Sequence, residues 1–218
     1  MVAILAADGA ASFYSDVYDK LVASHLFSAV GQLGCSTGSC PTPALSSLTP
    51  YAALFVWSGS VTTYGFVDVA AVGNVLASYV DGGGRVVMCA FGFATAPFPF
   101  ITGAFQSGGY NALTYASNIG NTGTTYSLNT GTMLSSPLLS GVSSFSGGTA
   151  SYHSASSLNP NSVCVAYWTD GYCLVAYRTD KYAPLCLFSL ADLIISSLSS
   201  SVPLPLQASG DAELLPPL

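Results

Sequence analysis

The sequence predicts an α/β fold: a doubly wound, mostly parallel sheet that ends in a C-terminal β-hairpin. Three observations carry the prediction. Short apolar runs alternate with segments of helical period over residues 2–91, a triple glycine joins a helical segment to a β-branched run, and two β-rich runs flank an Asp-Gly pair at 170–171.

Taken in order, "VAILAAD" (2–8) is an apolar run closed by an acid, as suits a buried parallel strand. Over 15–27, Tyr18, Leu21, Val22, His25 and Leu26 recur at helical spacing, with Ser12 or Ser15 as N-cap. "FSAVGQL" supplies a second strand, residues 35–43 a loop, and "PALSSLTPY" a short helical turn ended by Pro50. "AALFVWSGS" (52–60) is the next buried strand. Residues 66–80 form a helix with Val69, Val72, Leu76 and Val80 on one face, joined by Val75 and Tyr79. Gly82, Gly83 and Gly84 stop it, because glycine takes the left-handed conformation that ends helices. "RVVMCAF" follows as a strand.

Residues 93–162 break this rhythm with Gly, Ser, Thr, Asn and Pro among scattered aromatics. Short strands and turns packed over the C-terminal edge of the sheet are expected there. "SVCVAYWTDGYCLVAYRTD" is a hairpin signal around a tight Asp170-Gly171 turn. "APLCLFSL" adds a strand, and 191–199 a short helix. Residues 1–202 thus read as one α/β domain. Residues 203–218, "PLPLQASGDAELLPPL", read as an extended Pro/Leu-rich tail or as an arm that docks on a neighbouring subunit.

Composition bounds the function. Only 6% of residues are Asp, Glu, Lys or Arg, and none occurs over 21–67 or 86–169. Four basic residues against ten acids give net charge −6, which excludes a nucleic-acid partner. No apolar run reaches the roughly 20 residues of a spanning helix. An uncharged surface rich in Ser, Gly, Tyr and Asn favours assembly over colloidal repulsion. Six cysteines without paired C-x-x-C spacing or a His cluster argue against a metal site, and nothing calls for a cofactor. Cys35 and Cys40 flank "STGS", a spacing that closes a small disulfide in an oxidising compartment. Cys164, Cys173 and Cys186 lie in apolar runs, where buried thiols and pairing both remain open.

The stretches "VGNVLASYVDGGGRVVMC" and "YWTDGYCLVAYR" resemble the class I glutamine amidotransferase-like superfamily, above all its ThuA-like (trehalose-utilisation) branch. The similarity covers residues 2–200. It implies a flavodoxin-like doubly wound fold of the kind found in large bacterial surface and secreted proteins. It also puts Cys89 near the strand end where amidotransferases carry their nucleophile. The family pattern asks for G-x-C-x-G there, and for a His followed two positions on by Glu. Here Cys89 sits in "MCAFG" without the first glycine, and His153 in "YHSAS" with Ala155 in the Glu position. The resemblance therefore implies a catalytically degenerate member.

An elbow cysteine needs a base to make thiolate and an acid to orient that base. His153 is the sole candidate base, since His25 belongs to the first helix; no acid lies near it in sequence, although Asp170 or Asp192 could approach in space. The bland reading of Cys89 is a small buried residue at a strand end. Asp8 sits where α/β folds bind ligands but also where a carboxylate caps the following helix. Trp57 could stack on a sugar or fill the core. Gly82–Gly84 precede a strand and so cannot cradle a phosphate. Together these readings favour a non-catalytic structural or interaction domain, extracellular and self-assembling. A Cys89 hydrolase and a carbohydrate-binding module are the alternatives.

Overall fold

The structure, a computed structural model, describes residues 1–8, 11–35, 39–59, 64–95, 100–115, 119–120, 124–148, 151, 153–154, 156–181 and 185–186. The helix expected at 191–199 and the tail at 203–218 lie outside the described residues.

The first half alternates strand and helix as expected. β1 (Val2–Ala6) is followed by α1 (Ala11–Ala23), β2 (Val30–Gln32), the single turn α2 (Leu45–Leu48), β3 (Ala53–Trp57), α3 (Val69–Asp81) and β4 (Arg85–Met88). β1 lies between β2 and β3, and β4 pairs with β3, all parallel. Every residue of β1 is buried, as an interior parallel strand requires.

Two helices differ from the sequence reading in frame. α1 starts four residues earlier than expected, so Ser12 and Ser15 lie inside it. It ends where His25 adopts φ 55°, a left-handed conformation that histidine tolerates better than most residues. α3 begins at Val69 because Asp68 is extended and its carboxylate accepts the N–H groups of Ala70 and Ala71 at 3.0 and 2.8 Å. Apolar period alone ran that helix back to 66, across its cap. Gly83, at φ 93°, reverses the chain after α3.

Residues 93–162 spread further than a cover for the C-terminal edge. A 3₁₀ turn (Ala90–Gly92) leads toward α4 (Gly103–Ser107), which packs on α3 and takes the Asn74 side-chain oxygen on the Ala104 N–H at 2.8 Å. β5 (Ile119–Gly120) and β6 (His153–Ser154) form a separate antiparallel ribbon. Between them, segment 128–134 runs along the outer edge of β7 (Ser162–Tyr167): Asn129 and Leu134 donate N–H to the carbonyls of Tyr167 and Val165.

β7 and β8 (Cys173–Arg178) make the expected hairpin, but its loop has three residues rather than two. Trp168 N–H donates to Tyr172, Gly171 N–H donates back to Trp168, and Gly171 sits at φ 91°. A left-handed third residue lets the turn follow the strand twist. β9 (Leu185–Cys186) then inserts between β4 and β8, giving the order β2-β1-β3-β4-β9-β8-β7. β9 is parallel to β4 and antiparallel to β8.

Two disulfides are present among the described residues. Cys35–Cys40 closes the expected small loop, with Cα atoms 5.4 Å apart. Cys164–Cys173 spans the bulged hairpin with Cα atoms 6.0 Å apart, which resolves the open reading of these residues in favour of pairing. No helix among the described residues is long and apolar enough to cross a membrane.

Candidate functional site

In a 2-1-3-4 strand order the connections leave β1 and β3 in opposite directions, and ligands bind in the crevice at their C-terminal ends. Three of the sequence candidates meet along that rim. Asp8 follows β1, Trp57 ends β3, and Cys89 follows β4. Backbone bonds knit them: Ala7 N–H donates to the Trp57 carbonyl at 3.2 Å, and Cys89 N–H to the Val56 carbonyl at 2.8 Å.

Asp8 and Trp57 are direct partners across the crevice. The indole N–H donates to the Asp8 carboxylate at 2.9 Å. The Trp57 ring is only 9% exposed and packs at a tilt against Tyr14, centroids 6.1 Å apart. A sugar-stacking platform needs an open ring face, which Trp57 in this packing does not offer. The Cys35–Cys40 loop borders the crevice, with Cys35 bridged to Ala7 and Cys40 to Phe66.

Cys89 lacks the geometry of an elbow. Its backbone is extended at φ −91°, ψ 165°, whereas a nucleophile elbow projects its side chain from a strained strand-to-helix turn. The residue keeps part of its surface, but its sulfur is desolvated and the thiol is pushed up to about 12. Burial is the sole cause of that shift. A working nucleophile needs the opposite, a thiolate favoured by a cation, helix N-terminus or base.

Among the described residues no base is placed beside Cys89. His153 lies on β6, in a ribbon that neighbours β8, and its side chain is outside what the structure describes; β9 separates β8 from β4. Asp170 sits in the hairpin turn and accepts the Tyr172 N–H at 3.2 Å, and Asp192 lies outside the described residues. Among the described residues no group of His, Cys, Asp and Glu converges to hold a metal.

The sequence reading missed two features. Beyond β4, Tyr115 packs against Phe93 and Phe100 with its hydroxyl buried and without a hydrogen-bond partner among the described residues, and burial drives that phenol's pKa upward. At the opposite rim, Tyr110 donates to both Asp81 oxygens at 2.7 Å, Lys181 Nζ lies 3.9 Å from the Tyr110 ring centre, and Arg178 reaches the Gly109 carbonyl and the Asp180 carboxylate. Its signal was "YRTDK": two of the chain's four basic residues fall within four positions. By its β-rich pattern that stretch reads as the end of a hairpin.

No protein-family model matches the chain, and no curated protein does. Among solved structures it is similar to one from Bacteroides uniformis described as a ThuA-like protein, with 10% identity and a TM-score of 0.50 over 85% of this chain and 80% of that one. At that identity the likeness is one of fold: an α/β domain with a mostly parallel sheet.

Proposed function

We propose that this chain is a non-catalytic structural or interaction domain, a degenerate relative of the amidotransferase-like enzymes that works outside the cell and associates with its own kind. The state of Cys89 carries the reading. The strand end where an amidotransferase holds its nucleophile bears a cysteine in relaxed backbone with its thiol pushed up to about 12. Two disulfides suit an oxidising compartment, and a surface so poor in charge offers little repulsion between copies.

Native protein is treated with a thiol-directed probe at pH 7.5, and peptide mapping assigns the label. Cys89 stays unlabelled until denaturant is added. Fast labelling of the native protein that collapses in His153→Ala would overturn the non-catalytic reading. Sedimentation velocity over a hundredfold concentration range tests the second half: the weight-average mass rises with concentration, and a strict monomer throughout would reject self-association.

A further inference from the structure

The two outer edges of the sheet are not treated alike. β7 is bulged and has segment 128–134 bonded along it. β2 lies at the opposite edge, and no described strand pairs with its outer side. Ala29, Gly31 and Leu33 point their backbone groups inward to β1, so Val30 and Gln32 turn theirs outward, where no described residue bonds them.

Proteins guard such an edge with charge, above all lysine, with proline, or with a covering segment. Among the described residues none is in place here. No Asp, Glu, Lys or Arg occurs over 21–67, a stretch that includes β2, the turn leading into it and α2. Shortness is its one protection. Two exposed apolar side chains precede it closely in the chain: Val22 on the last turn of α1, 44% exposed, and Leu26 in the turn that leads to β2, 41% exposed.

We infer that the β2 edge is a self-association surface, on which β2 of a second copy pairs antiparallel across a two-fold axis at Gly31. This rests on the self-associating half of the proposed function and names its surface. The register follows from the outward groups. Val30 faces Gln32 of the second copy and Gln32 faces its Val30, each pair exchanging two N–H···O bonds, with Gly31 opposite its own copy at the axis. The contact is isologous, so it closes as a dimer and joins two seven-stranded sheets into one.

A surface facing its own copy must be electrostatically compatible with itself. A strip without charge meets that condition, and any single charge on it would meet its like. Four backbone bonds do not alone outweigh the freedom lost on association, so Val22 and Leu26 supply the apolar contact that makes the dimer measurable.

The test is sedimentation velocity on the full chain and on Gln32→Lys, Gln32→Glu, Gln32→Pro and Leu26→Ser. Both positions are exposed, and the Gln32 N–H points away from β1, so the fold is retained; far-UV circular dichroism checks this. Each variant weakens the dimer by ~10-fold or more. Mixing the Lys and Glu variants restores it, because opposite charges then meet across the axis. If the wild type associates and all four variants associate equally well, the β2 surface is wrong while self-association stands. If only deletion of 203–218 abolishes the dimer, the contact belongs to the tail and the β2 surface is again wrong. A monomeric wild type overturns both.

Discussion

The two rims of the sheet hold themselves together by different chemistry. At the N-terminal rim lie all four basic residues of the chain: Lys20 in the last turn of α1, Arg85 opening β4, and Arg178 and Lys181 at the end of β8. Acids accompany them there, with Lys20 on Asp16 at 3.0 Å and Arg178 on Asp180 at 2.8 Å. The C-terminal rim carries Asp8, Asp68 and Asp170 and no basic residue, and it is pinned instead by disulfides and by the Asp8–Trp57 bond. In this architecture the C-terminal rim is where ligands bind. A rim with acids and no base repels anions, so phosphate and carboxylate ligands are disfavoured where an enzyme of this shape would take them. The chain spends its few cations on architecture.

The comparison breaks most sharply at Arg178, whose side chain is 6% exposed. Arg178→Leu strands the Gly109 carbonyl and frees Asp180, and it should cost about 3 kcal/mol in urea unfolding. An unchanged midpoint would show that the charged rim is decoration. Removing the hairpin disulfide, as Cys164→Ser with Cys173→Ser, should cost about 2.5 kcal/mol through the loop it closes in the unfolded chain. These two losses should add, since the groups share no partner; strong coupling would mean the rims are not independent.

Asp8→Ala leaves a buried indole N–H without its acceptor and should cost about 1.5 kcal/mol, with a change in tryptophan emission as a second readout.

Acid and alkali load the N-terminal rim in opposite ways. Arg178 holds Asp180 down at about 2, so that carboxylate stabilises the fold above the ordinary Asp range and stops doing so as pH falls toward 2. Donation to Asp81 pushes Tyr110 up to about 12. Its proton is retained in the fold after the unfolded chain has lost it, so stability declines as pH rises from 10 to 12. Arg178→Leu should flatten the acid limb and leave the alkaline one; thermal melts from pH 2 to 11 read both. The smallest effect is expected at Cys89, where Cys89→Ala should change stability by less than about 1 kcal/mol, since it deletes a single sulfur from a residue that keeps part of its own surface. A larger loss would give that thiol a structural duty that its surroundings do not show.

What sequence alone revealed follows the range of each interaction. β1, β3, α3 and β4 were readable because apolar period and glycine stops are local signals. Frames slipped where one residue outvoted the period, at Asp68 through its carboxylate and at His25 through its backbone. Non-local features were out of reach. Asp8 and Trp57 were each singled out, yet their hydrogen bond spans 49 positions that no periodicity links. Pairing of Cys164 with Cys173 depends on the hairpin's bulge, and the Tyr110 cluster depends on α3, α4 and β8 meeting at one end.

The place of β9 has a consequence for the growing chain. Met88 of β4 pairs with Leu185, 97 positions later. During synthesis at roughly 5–20 residues per second, the edge of β4 waits about 5–20 s for the strand that covers it. Until then the emerging half-sheet ends in "RVVM", β-branched and apolar, and any fragment stopping short of 185 keeps that edge permanently open. A strand made late thus takes an interior place in the sheet, and the nascent chain is at its most adhesive just before that strand emerges.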